Sequence, residues 1–145
     1  MVAQSWTRSL GRSERRPARR PLLLIAVETL MGFSAIGGGI GLLGDWIGMP
    51  REALEGTPFS SFTIPALILI FVVGGSQLVA AWLAWTRHPL ALVASFAAGC
   101  ILLGWIAVEA VMVDDPEGRM LQTVVFACAA LILGLAWRWR RRETA

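Results

Sequence analysis

The sequence has little of what a metal or redox protein needs. His88 is the single histidine, so a multi-histidine metal or haem site within one chain is excluded. The two cysteines, Cys100 and Cys128, lie in apolar runs and form no CxxC or other metal-ligand spacing. In the membrane spans derived below they sit at depths about 9 Å apart, counting 1.5 Å per residue, which is beyond disulfide reach. They read as packing residues. No metal and no cofactor is expected. Lysine is absent, and all 13 basic residues are arginine. Charge is scarce as well, at 16%, whereas 56% of the 145 residues are hydrophobic. A soluble domain of this size cannot keep its surface wet with so few polar groups, and apolar runs of about 20 residues read as membrane spans.

Four such runs follow one another. Residues 21–43 open the series with PLLLIAVETLMGFSAIGGGIGLL. The run is too long for the apolar core of a secretory signal, about 7–15 residues, and it holds a glutamate, so it reads as an uncleaved span. The other three occupy residues 62–85, 90–113 and 121–137. Residues 1–20, Arg-rich and interrupted by Pro17, are expected to be disordered or to lie on lipid head groups. Arg51 to Glu55, between Pro50 and Gly56, are expected to form one surface helical turn. Thr57 is the expected cap of the second span and Asp115 that of the fourth, with Glu117 in its first turn. Pro65 falls early in the second span, where a missing N–H costs little.

Charge then orients the chain. Arg8, Arg12, Arg15, Arg16, Arg19 and Arg20 precede the first span, Arg87 lies in the second link, and Arg138, Arg140, Arg141 and Arg142 follow the fourth span. The first link carries Asp45, Glu52 and Glu55 against Arg51, and the third carries Asp114, Asp115 and Glu117 against Arg119. Four spans put every Arg-rich segment on one side and every acid-rich one on the other, whereas three or five spans would break the alternation. Arginine bias of this kind marks the cytoplasmic side. The expected fold is therefore an all-α, up-down four-helix transmembrane bundle in a bacterial inner membrane, with both termini, His88 and the Arg-rich tail 138–145 in the cytoplasm. Trp46, Trp82, Trp85, Trp137 and Trp139 suit the interfacial belt. The Arg-rich tails match nucleic acid in charge, but membrane orientation accounts for them and no nucleic-acid partner is expected.

Helical spacing picks out an inward face on each span. Glu28, Gly32, Ala35 and Gly39 share one, and Gly74, Gln77, Ala81 and Ala84 another. Ser95, Gly99, Leu102 and Glu109 share a third, and Gln122, Ala129 and Ala136 a fourth. Polar groups on small-residue faces point to a common polar interior, because a carboxylate facing lipid is costly. Glu28, Gln77, Glu109 and Gln122 are the candidate ligand-binding residues, and Glu28 and Glu109 the candidate catalytic acids. Depth separates them: Glu28 and Gln77 belong to an inner layer, while Glu109 and Gln122 belong to an outer one about 15 Å or more away. Glu28 and Glu109 are therefore not expected to act as a paired acid and base on one bond. Glu28 reads either as a structural carboxyl bonded to Gln77 or a backbone carbonyl, or as a group that binds a ligand or a proton. Glu109 reads either as a site residue or as a carboxylate reaching the outer head groups. Gly37, Gly38, Gly39 and Gly41 fit helix packing or a kink; they have no preceding strand and no GK[ST] to make a phosphate loop. His88 is expected to be an exposed loop residue.

The stretches GLLGDWIGMP and LEGTPFSSFTIPALILIFVVGG, with Trp105-Ile106, Glu109 and Met120-Leu121-Gln122, resemble a group of small four-span bacterial membrane proteins of the DoxX-like kind. The likeness covers residues 22–137, and its motifs, the Met49-Pro50 link and the Thr57-Pro58-Phe59 helix start, are structural. It implies an inner-membrane four-helix bundle. The wider group is linked to thiol or quinone redox systems, but the external cysteine pair such chemistry would use is missing here, so no functional residue is carried over. Four short spans with a glutamate in the first also resemble small multidrug resistance transporters, whose dual topology the strong arginine bias opposes. Three functions follow as expectations. The first is an accessory or binding bundle, holding a lipid-soluble molecule such as a quinone or isoprenoid, or packing against other membrane subunits or itself. The second is a small membrane isomerase, cyclase or hydrolase that uses an intramembrane glutamate. The third is an oligomeric proton-coupled transporter.

Overall fold

The computed structural model describes residues 21–46, 48, 55, 58–112 and 118–143. Among the described residues the regular structure is entirely helical. The N-terminal arginine segment, the turn at Arg51 to Glu55 apart from Glu55 itself, the Thr57 cap, the Met49-Pro50 link, and Asp114, Asp115 and Glu117 lie outside the described residues. Four helices are long and apolar enough to cross a membrane. They are α1 (Leu22–Leu43), α2 (Thr63–Thr86), α3 (Ala91–Met112) and α4 (Gly118–Glu143). Helix α1, with 22 residues, is about 33 Å long at 1.5 Å per residue and matches a hydrocarbon core of about 30 Å. Helix α4 has 26 residues and is about 39 Å long, so Arg138 to Arg142 continue the span as helix. The apolar stretch itself ends at Trp137, and helical propensity carries the backbone on through the arginines.

The links shape the bundle. Helix α1 ends in a Schellman motif: Trp46 N–H donates to the Gly41 carbonyl at 3.0 Å, and Asp45 adopts the left-handed region at φ 54°. Helix α2 ends the same way, with His88 N–H on the Leu83 carbonyl at 2.9 Å, Arg87 N–H on Ala84 at 3.3 Å, and Arg87 at φ 57°. The chain turns at once. His88 accepts the Leu90 N–H on Nδ1 at 3.2 Å and the Ala91 N–H on its carbonyl at 2.9 Å. The exposed loop histidine is therefore also the N-terminal cap of α3, serving one of the donors a helix start leaves unpaired. Pro65 lies in the first turn of α2 and Ala66 N–H bonds the Phe62 carbonyl at 2.9 Å, so the ring interrupts nothing.

Successive helices pack against each other, α1 on α2, α2 on α3 and α3 on α4, and α1 meets α4 more sparsely to close the ring. The core cluster is Leu24, Met31, Ala35, Val73, Leu102, Ala129 and Ile132, drawn from all four helices. Glycines set the α1–α2 distance. A Cβ on Gly32 would lie 2.7 Å from Leu78 Cδ2 and 3.3 Å from the Gly74 carbonyl oxygen. One on Gly39 would collide with Ile70 and lie 2.8 Å from the Ala66 carbonyl oxygen. Of the expected glycine packing surface, Gly39 and Gly41 are buried whereas Gly37 faces outward with open space beside it. Helix α2 also contains a π-helical segment, Ile68–Gly74. Nothing local in ILIFVVG calls for the wider turn. It ends at the glycine that meets α1, and Ser76 Oγ donates to the Val73 carbonyl at its exit, at 2.9 Å.

Candidate functional site

Three polar side chains reach the centre of the bundle from three different helices. Glu28 of α1, Gln77 of α2 and Ser95 of α3 are each fully buried, at 0% exposure. Small residues make room for them, since the neighbours at one-turn spacing, Gly32, Gly74, Ala81 and Gly99, are buried too. Gly32, one turn past Glu28, sits against Gly74 and Leu78, which bracket Gln77. The Ser95 hydroxyl is the polar group beside the Glu28 carboxyl, although the pair falls outside hydrogen-bond geometry. Ala98, nearly one turn beyond Ser95, accepts the Gln77 amide hydrogen on its carbonyl at 3.1 Å. These contacts hold the three side chains within about one helical turn of each other in depth, about 5 Å.

The bond between Glu28 and Gln77, one of the alternatives the sequence leaves open, is not made. Gln77 gives its amide N–H to Ala98, and the Glu28 carboxyl receives neither that group nor a backbone donor. Side-chain direction explains the difference. Helical side chains lean toward the N-terminus of their own helix, and α1 and α2 run antiparallel, so Glu28 and Gln77 lean away from each other in depth. Ser95 sits on α3, which runs parallel to α1, and it replaces Gln77 as the neighbour of Glu28.

Four oxygens in this cluster have no hydrogen-bond partner in the protein: Glu28 Oε1 and Oε2, Gln77 Oε1 and Ser95 Oγ. A buried polar atom left unpaired costs about 1–3 kcal/mol. The bond to Ala98 also fixes which way the Gln77 amide faces, so its oxygen is directed away from Ala98 as a free acceptor. Such a cluster can accept hydrogen bonds from a guest. Its one titrating group is Glu28, with the Ser95 hydroxyl beside it.

The outer candidates are elsewhere. Glu109 follows Ser95 by 14 residues on α3, so it lies about 21 Å further along the helix axis. It is half-buried with the Trp105 side chain beside its carboxyl. Gln122 is half-buried in the first turns of α4. The structure thus brings Glu28 together with Ser95 and Gln77 and leaves Glu109 and Gln122 at the far end of the α3–α4 hairpin. Ser95 is the residue that the sequence reading placed on the inward face without naming it as a candidate. Its signal was the stripe it shares with Gly99 and Leu102, both of them buried. Cys100 is exposed and Cys128 half-buried, and both are free. Among the described residues no group of three or more His, Cys, Asp or Glu could hold a metal ion. Compared with family models, curated proteins and solved structures, the chain matches none.

Proposed function

We propose that this protein is a binding bundle of the bacterial inner membrane, with both termini in the cytoplasm, that holds a lipid-soluble small molecule by its polar end. The observation that carries this reading is the set of four buried oxygens, on Glu28, Gln77 and Ser95, that no protein donor satisfies. A structural polar network is normally closed, because each open group is costly. Groups on three helices that stay open together suit a guest. The arginine bias of the links supports the orientation. The DoxX-like resemblance of residues 22–137 belongs to the same reading and supports the architecture rather than the ligand. Glu109 stands about 21 Å from Ser95 along α3, and a shared acid–base role with Glu28 is correspondingly disfavoured.

The test is retention. The full-length protein is extracted in mild detergent, and co-purifying lipid-soluble molecules are identified by native mass spectrometry, for the wild type and for Glu28→Leu. The expected result is a stoichiometric small molecule on the wild type that is lost from Glu28→Leu at unchanged helix content. Equal retention by the two proteins, or no retained molecule in either, overturns the reading.

A further inference from the structure

The open atoms of the Glu28 cluster share one property: nearly all are acceptors. Gln77 Oε1 accepts only, and one of the two Gln77 amide hydrogens is given to the Ala98 carbonyl. Glu28 offers two oxygens and at most one hydrogen, and Ser95 offers one hydroxyl hydrogen. Counting the second Gln77 amide hydrogen, three hydrogens at most face four open oxygens, and one is consumed if Ser95 turns its hydroxyl to the carboxyl beside it. An occupant that brings further acceptors leaves more buried atoms unpaired, while an occupant that brings hydrogens pairs them.

We infer that this site selects a neutral lipid-soluble alcohol, bound through its O–H to the Glu28, Ser95 and Gln77 oxygens, over the matching ether, ketone or phosphate. The inference rests on the binding-bundle reading and adds the chemical class of the ligand. A hydroxyl donates one hydrogen and accepts one, so it can take the Ser95 O–H and give its own to Glu28 or Gln77. An ether or ketone has nothing to give. A phosphate adds charge to a site that already holds a carboxyl and has no cationic side chain: Glu28, Gln77 and Ser95 are its polar members, and the residues around them in the core are apolar. Metal cations are a poorer match than an alcohol, because calcium or magnesium requires about six or more oxygens and three side chains present four. The α1–α4 seam, the sparsest of the contacts between neighbouring helices, is where a hydrocarbon tail would meet apolar side chains, since Leu24, Val27, Leu135 and Trp139 of those two helices lie in or against the core.

The experiment compares farnesol with farnesyl methyl ether and farnesylacetone on the full-length protein in lipid nanodiscs, read by tryptophan fluorescence and by thermal shift. These probes share a tail type and differ in the polar end. The expected result is farnesol binding at least about ten-fold tighter than the ether or ketone, the scale of one unpaired buried hydrogen-bonding group. Glu28→Gln replaces a carboxyl oxygen with an NH2 donor and should abolish that ten-fold preference. If Glu28→Gln does not fold, Ser95→Ala serves instead and should weaken farnesol binding several-fold. Ether or ketone binding equal to that of farnesol overturns the donor rule and leaves the binding bundle standing. Binding of none of the three, or stabilisation by sodium alone, overturns both.

Discussion

At the scale of single residues, the informative feature of Glu28 is how poorly the protein serves it. A structural carboxyl in a membrane bundle finds several donors; this one is fully buried with the Ser95 hydroxyl beside it and neither oxygen in a completed hydrogen bond. That difference can be measured. Glu28→Leu replaces a polar group by an apolar one of similar size among Leu24, Met31 and other core residues. It should raise the stability of the ligand-free bundle by about 1–3 kcal/mol, the cost of unpaired buried polar atoms. Reversible unfolding in mixed micelles gives the number, and a destabilised Glu28→Leu would show that the carboxyl is a structural member after all. Stabilisation together with loss of ligand is the pattern expected of a group kept for function. Gln77→Leu removes one bond to a carbonyl and one open acceptor, so its effect should stay within about 1 kcal/mol in the same assay. The glycines supply a second contrast. Gly39→Ala drives a methyl against Ile70 and the Ala66 carbonyl, a backbone atom that cannot step aside, and should cost about 1–3 kcal/mol. Gly37→Ala, two residues away with nothing near its Cβ, should be neutral or should stabilise by up to about 1 kcal/mol through helix propensity. Equal effects at the two positions would mean that α1 and α2 do not approach as closely as described.

At the scale of elements, the α2–α3 turn concentrates the backbone constraints. Arg87 holds a left-handed conformation at φ 57°, a region that disfavours a Cβ by about 1–2 kcal/mol. Arg87→Gly should therefore stabilise the hairpin by up to about 1 kcal/mol, the gain expected of glycine at a Schellman position. His88→Ala should weaken the start of α3 by about 0.5–2 kcal/mol, because the Leu90 N–H loses its Nδ1 acceptor, and His88→Asn should restore most of that. Thermal unfolding of the three variants in one detergent decides the matter; a silent His88→Ala removes the capping role. The sequence made α1 to α4 legible because length and apolar content suffice to mark a span. The inward faces were legible too, since Gly32, Ala35, Gly39, Ala81, Ala84, Ala129 and Ala136 are all buried. The partner of Glu28 was not. Choosing between Gln77 and Ser95 needs helix rotation and depth to within one turn, and an apolar run carries no mark that fine. The His88 cap escaped for another reason: histidine is not among the usual capping residues, and its role depends on a ring orientation that spacing cannot show. The π segment Ile68–Gly74 left no trace in residue type, as it is defined by where the backbone bonds rather than by which side chains it carries.

At the scale of the whole molecule, the bundle is uneven, and its charge makes it directional. Helix α4 is the least buried of the four and touches α1 only sparsely, so the ring of helices is loosest there. The exposed large side chains, among them Phe33, Phe71, Trp82, Val93, Val111 and Phe126, form the outer surface that suits lipid. Among described residues at the helix ends, Arg87, Arg138, Arg140, Arg141 and Arg142 lie at the end shared by the second link and the C-terminus, while Asp45, Glu55 and Arg119 lie at the opposite end. Helix α4 turns its last arginines back on its own aromatic ring, with the Arg141 guanidinium 5.2 Å and that of Arg140 5.9 Å from the Trp137 centroid. Aromatic rings and guanidinium groups together at one helix end suit the head-group layer, where each has both an apolar and a polar neighbour. Each arginine retained on the cytoplasmic side opposes translocation of its link, and the acidic links carry little of that resistance. The proposed orientation, with the His88 turn inside and the Asp45 turn outside, sets the labelling to expect. In a variant with Cys100 and Cys128 replaced by serine, a cysteine placed at Asp45 should react with a membrane-impermeant maleimide on intact spheroplasts. A cysteine placed at His88 should react only after lysis. The reverse pattern would invert the topology. Partial labelling of both sites on intact cells would mean that the chain inserts both ways, and the arginine count would then have no bearing on which end of the Glu28 site faces the cytoplasm.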